Sequence, residues 1–192
     1  SYGAREKNDP WRKALGRKEI MNKLKTITLG GDSLNIEKLA SAAYGDIPVK
    51  LSETAIKKIE RGHKNLTNIL ESGAVAYGLN TGYGALSGVK IPRDKLKDLN
   101  LNLIKSHMTG TGEPFPNQAS KAVLILMANS QSKGHSGGRR VLIDTIIKMI
   151  NKGVYPVIPS QGSLGASGDL IPLGHAAAVL IGEGEAVYKG KR

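Results

Sequence analysis

The residue types best suited to unusual chemistry crowd into residues 162–174, which read Gly-Ser-Leu-Gly-Ala-Ser-Gly-Asp-Leu-Ile-Pro-Leu-Gly. Within this stretch Ala166, Ser167 and Gly168 are able to condense with one another. Gly168 has no Cβ, so its nitrogen can approach the Ala166 carbonyl in a conformation that other residues resist. Ser167 carries a hydroxyl that can leave as water. Ring closure between that nitrogen and that carbonyl carbon, followed by dehydration of Ser167, gives a five-membered imidazolone with an exocyclic methylidene. Such a group is an electrophile, which the twenty ordinary side chains do not supply. Spacing alone does not select this outcome, because a Gly-rich turn capping a helix accounts for the same residues.

Other chemistries fit less well. Gly165-Ala-Ser167-Gly-Asp169 lacks the final glycine of a G-x-S-x-G nucleophile elbow, and no strand is expected before it, which argues against a serine hydrolase. No Gly-Lys-Ser/Thr follows the glycines, so a phosphate-binding loop fails as well. Upstream, Gly82-Tyr-Gly84 begins like a dinucleotide fingerprint, but the third glycine is Gly88, one position late, and no doubly wound pattern surrounds it.

The elements that must position these residues read as mainly helical. Thr26 to Leu29 is a short strand, and Ser33 or Asn35 can cap a brief helix that ends at Gly45. Ser52 opens a stronger helix, with Ile56, Ile59, His63, Leu66, Ile69 and Leu70 on one face and Gly73 as its stop. His63 reads as a packed helix histidine. Pro92 or Asp94 opens a helix through about Met108 that carries Ser106 and His107 near its end, where a histidine complements the helix dipole without any ligand. Asn117 can cap a long helix from Gln118 to about Ser132, buried between Ala122 and Ala128. Residues 134–138 break it, with His135 a turn residue. Val141 to Ile150 is apolar at helical spacing and stops at Gly153, and the prolines after it favour an extended approach to Gly162. Asp169 can cap a helix with Pro172 in its first turn and His175 inside it as a core or supporting residue. Ala186 to Tyr188 reads as a strand.

Composition sets the outer bounds. The 192 residues are 40% hydrophobic, enough for one domain with a substantial core. There are no cysteines, which removes disulfides and thiolate metal sites. No apolar run is long enough to span a bilayer and the first residues lack the apolar core of a signal peptide, so a soluble cytoplasmic protein is expected, with no membrane partner. The net charge of +12 would by itself suggest nucleic acid, but only 4% of residues are aromatic and the lysines are dispersed along helices. A solvated basic surface, balanced by an acidic remainder of a larger protein, is the expected account, without a nucleic-acid partner. Residues 1–20 read as a basic leader or a cloning remnant, with Met21 as the expected natural start.

Two stretches together carry a family resemblance. Residues 162–174, with their Ala-Ser-Gly-Asp core, resemble the signature of the aromatic amino acid ammonia-lyase and aminomutase family. Residues 76–84, Ala-Tyr-Gly-Leu-Asn-Thr-Gly-Tyr-Gly, resemble the family's second signature. The resemblance implies that Ala166, Ser167 and Gly168 form the family's methylidene-imidazolone (MIO) prosthetic group, with no external cofactor, and that Tyr77 is the catalytic base. It places Gly84 as a backbone neighbour of the substrate. Ser106 and His107 match the Ser-His pair with which the histidine-specific branch selects the substrate ring, so L-histidine to trans-urocanate is the first expectation. Tyrosine or phenylalanine lyases and aminomutases are close alternatives, and a non-enzymatic basic binding module is a distant one. The implied fold is a mainly α, N-terminal helical domain with a few short strands, here residues 21–192. Family members are much longer and form homotetramers whose active sites combine several subunits. The C-terminal helical bundle and the arginine that holds the substrate carboxylate are missing from this sequence, so these 192 residues alone are expected to be inactive.

Overall fold

A computed structural model describes residues 24–166 and 168–192; the basic leader and Ser167 lie outside the described residues. The elements are β1 (Ile27–Leu29), α1 (Ile36–Tyr44), β2 (Val49–Leu51), α2 (Glu53–Glu71), α3 (Leu96–Ser106), β3 (Thr111–Pro114), α4 (Asn117–Gln131), α5 (Arg140–Lys152), β4 (Val154–Pro156), β5 (Pro159–Gln161), α6 (Leu170–Leu180) and β6 (Ala186–Tyr188). The mainly α expectation holds. The strands only clip helices together: β1 pairs in parallel with β2, and β3 with β5 and β4 with β6 antiparallel.

Caps written in the sequence set several helix starts. The Asn35 side chain accepts the Lys38 N–H at 3.0 Å, and Ser52 Oγ accepts the Ala55 N–H at 3.1 Å, each satisfying an orphan first-turn donor. Gly153 closes α5 in the left-handed region (φ 69°), as a glycine C-cap does. Other expected starts move. Asn117 is the first helical residue of α4, because Pro116, with its fixed φ, takes the cap position. Pro92 leads into a 3-10 turn (Arg93–Lys95) before α3 proper begins at Leu96, and α3 ends at Ser106.

The core lies where β1, β2, α1, α2, α4 and α5 meet, around Leu29, Val49, Ile59, Leu124, Ile125, Ile143 and Ile146. α4 is less uniformly buried than its composition suggests, since Leu126 faces solvent. Two polar side chains finish chain ends in this core. The Asn151 amide both donates to Val49 O and accepts from Val49 N–H, each at 2.9 Å, occupying the free edge of β2. Lys121 is buried and donates Nζ to Gly45 O at 2.6 Å; desolvation lowers its pKa, only partly offset by Asp46.

α2 and the 133–138 turn touch through glycine. A Cβ built on Gly62 would lie 1.9 Å from Gly134 O, while His63 Nδ1 sits 3.0 Å from Gly137 O, so His63 is a packed helix residue. Gly62→Ala is therefore expected to destabilise the full-length protein by about 1–3 kcal/mol through overpacking, read as a lower midpoint in denaturant unfolding. An unchanged midpoint would mean that the two backbones part at no cost.

Candidate active site

The Tyr77 loop is a small hairpin built from its own amides. Ile91 N–H donates to Asn80 O and Gly82 N–H to Val89 O, at 2.9 and 3.0 Å, and a 3-10 turn (Gly84–Leu86) forms the tip. Asn80, buried, closes the base: its amide donates to Ala74 O at 2.7 Å and accepts from Ala76 N–H at 2.9 Å. Buried Thr81 accepts the Gly78 N–H at 3.2 Å. Buried polar groups so paired hold a turn in one geometry. On this frame the Tyr77 hydroxyl oxygen accepts the Gly84 N–H at 3.3 Å, and its ring meets Tyr83 edge to face, with centroids 6.2 Å apart. Gly84 has a left-handed φ of 57°, which turns its N–H toward the phenol without steric cost. The phenolic proton meets no acceptor among the described residues, and Tyr77 is 66% exposed.

His107 caps the C-terminus of α3. Its Nδ1 lies 2.7 Å from Leu103 O, so Nδ1 carries the proton and donates. Ser106 Oγ donates to the same carbonyl at 2.8 Å and sits 3.1 Å from Nδ1. In the neutral ring these contacts fix one tautomer, with the proton on Nδ1 and the lone pair on Nε2, which has no partner among the described residues.

The chain reaches the tripeptide through β5. Contrary to the expectation that no strand precedes Ser167, Pro159–Gln161 pairs with β3, registering Thr111 opposite Gln161 and Pro114 opposite Pro159. This pairing formed no readable sequence pattern because each strand is only three or four residues, with a proline ending β3 and another opening β5. Its effect is to bring the segment after His107 alongside the segment before Gly162. Beyond β5 the backbone doubles back on itself: Gly165 and Gly168 have φ of 74° and 97°, and bridges join Gly165 to Gly168 and Ala166 to Gly168. A Cβ on Gly168 would meet nothing within 4 Å. Ala166 and Gly168 are thereby paired with each other just ahead of α6. Asp169 stands at the start of α6 but does not cap it; its Oδ1 accepts the Ser163 hydroxyl at 2.7 Å and ties the loop across its base.

The structure therefore seats His107 and the Ala166–Gly168 turn on one scaffold of β3, β5 and α6. The hydrogen bond and ring contact of Tyr77 stay within its own loop. A cleft of about 360 Å³ behind that loop, lined by Asn80, Lys90 and Arg93 among others, contains none of the expected site residues. Sequence reasoning missed Asn80 and Thr81 as the clamp of the Tyr77 loop, and their burial among glycines has no periodic signal.

Comparison with known proteins now decides the family. A family model described as aromatic amino acid lyase matches residues 34–192. The chain belongs to the aromatic amino acid lyase family. It is 46% identical over 169 residues to histidine ammonia-lyase of Koribacter versatilis (strain Ellin345), covering 88% of this chain and 33% of that protein. Among solved structures of the lyase family, histidine ammonia-lyase of Trypanosoma cruzi superposes with a TM-score of 0.79 at 34% identity, over 86% of this chain and 32% of that one. Tyrosine aminomutase of Streptomyces globisporus gives 0.81 at 32% identity, over 86% and 31%. The chain spans about a third of the length of the curated lyase relatives it matches. Among the described residues no helix is long and apolar enough to cross a membrane.

Proposed function

We propose that this chain is the N-terminal, prosthetic-group-bearing part of a histidine ammonia-lyase that converts L-histidine to trans-urocanate and ammonia. The observation that carries this reading is the Ala166–Gly168 fold-back at the start of α6, in a chain of this family. The tripeptide Ala166-Ser167-Gly168 would form the methylidene-imidazolone. Once formed, that ring supplies an electrophile that makes the substrate amino group a better leaving group.

The chain's own residues do the rest. Near the ring, the first-turn amides of α6 that carry hydrogen, Leu170 and Ile171, lie at the positive end of the helix and favour negative charge there; Pro172 contributes none. Tyr77, after releasing its hydroxyl proton to solvent, takes the β-proton of the substrate as the phenolate, its oxygen held by the Gly84 N–H. His107 orients the substrate ring: Nε2, fixed as an acceptor by Leu103 O and Ser106, receives an imidazole N–H. An acceptor at this place suits a ring that carries a donor, the imidazole N–H of histidine or the phenol O–H of tyrosine, whereas the apolar ring of phenylalanine offers it nothing; histidine is placed ahead of tyrosine by the likeness to histidine ammonia-lyases.

Leu164, 91% exposed, and the exposed Val75, Tyr77, Leu170 and Leu173 are apolar groups on the segments around the candidate site. We assign their cover to the remaining C-terminal portion of the enzyme and to neighbouring subunits of a homotetramer, in the cytoplasm. The 192 residues alone are accordingly expected to show no turnover.

His107→Leu in the full-length enzyme tests the substrate assignment. Removing the acceptor should lower kcat/KM for L-histidine by about 10- to 100-fold, the scale of one lost polar contact in a site built for it. Preference over tyrosine should narrow with it. An unchanged preference would remove His107 from substrate selection, and an unmodified mass of residues 162–174 in the full-length protein would favour the basic binding module.

A further inference from the structure

We infer that His175 is a positioning residue that holds the His107 segment in place against α6 through the backbone of Gly110. The inference rests on the substrate-orienting role proposed for His107 and adds the device that sets its position.

His175 Nε2 accepts the Gly110 N–H at 3.2 Å, across 65 residues of sequence. An imidazole nitrogen that accepts an N–H is unprotonated, so the proton of His175 resides on Nδ1. Burial lowers the pKa of His175, with no charged partner opposing, and this keeps the ring neutral and its lone pair available. Gly110 has little room for a side chain. A Cβ there would lie 3.0 Å from His175 Nε2 and 3.1 Å from both Ile171 and Pro159. The neighbouring residue on α6, Gly174, does the complementary work: a Cβ on it would lie 2.9 Å from His107 Cβ and 3.2 Å from His107 O. Gly174 thus admits the His107 backbone against the helix and His175 fastens the chain three residues later. The helix that begins beside the reactive tripeptide thereby sets the distance from that tripeptide to the ring-orienting side chain. His175 lies outside the buried cluster that stabilises the domain, so its loss is read in substrate positioning before it is read in folding.

The test uses the full-length enzyme with His175→Leu and His175→Gln. Leucine removes the acceptor and leaves the Gly110 N–H unpaired; KM for L-histidine is expected to rise about tenfold with kcat held within about twofold, the signature of lost ground-state positioning. Glutamine, whose side-chain oxygen can accept the same N–H, is expected to restore KM to within about twofold of the parent. Should His175→Leu fail to fold, His175→Asn, polar but too short to reach Gly110, takes its place with the same expectation. KM unchanged in the variant that lacks the acceptor, a fall in kcat alone, or no rescue by glutamine would each overturn the inference. The parent enzyme separates this failure from that of the proposed function: if the parent lacks the ring or does not turn over histidine, the functional reading has failed, and if it has both, a silent His175→Leu refutes only the role of His175.

Discussion

Full-length enzyme carrying Ser167→Ala is expected to lose turnover of L-histidine by about four orders of magnitude or more, the scale on which removing a covalent catalytic group acts. Without the Ser167 hydroxyl there is no second water to lose, and so no exocyclic double bond, however well Ala166 and Gly168 approach one another. Their fold-back rests on the left-handed glycines at 165 and 168 and on the Ser163–Asp169 hydrogen bond, none of which the substitution touches. Circular dichroism should therefore match the parent while activity disappears. Turnover within tenfold of the parent would show that the reaction does not depend on Ser167.

Tyr77→Phe is expected to cost about 10²–10⁴-fold in kcat, the contribution typical of a positioned general base. The exchange removes one oxygen and the hydrogen bond that it accepts from Gly84, while the edge-to-face contact with Tyr83 and the buried Asn80 clamp remain. Residues 162–174 should retain the ring, so the peptide mass there stays that of the parent while kcat falls. A variant with unchanged kcat would move the base elsewhere, and one that lost the ring would place Tyr77 in ring formation.

The two predictions draw on parts of the molecule that the sequence reveals to different degrees. Helix caps at Asn35 and Ser52 and the glycine stop at Gly153 are local: a side chain or a missing Cβ acts within one turn, so residue type and spacing disclose them. The displaced caps show where that logic ends. Asn117 lost its position to Pro116, and Asp169 gave its oxygen to Ser163 instead of to the helix, since a nearby hydroxyl outcompeted the backbone. Strands β3 and β5 were hidden because three or four residues that include Gly112 and Pro159 carry no alternation, and β2 because its alternation, Val49-Lys50-Leu51, lasts only three residues; their pairing is decided by partners elsewhere in the sequence.

Within the candidate site, the reactive triplet could be named from residue chemistry joined to family resemblance, and Tyr77 and His107 from resemblance alone. Their settings could not. The shared carbonyl of Leu103 that fixes the His107 tautomer lies one helical turn away and is invisible in side-chain types. The Gly110–His175 tie joins segments that the β3–β5 pairing and the packing of Gly174 on His107 bring together. Glycines that look like loop punctuation at 110 and 174 are places where two segments touch.

The central claim is that Ala166, Ser167 and Gly168 condense into one electrophilic ring. It is tested most directly by mass spectrometry of the proteolytic peptide containing residues 162–174, taken from the full-length, active enzyme. The account predicts a peptide lighter than its sequence by about 36 Da, the mass of two waters. A peptide of unmodified mass from enzyme that turns over histidine would contradict it.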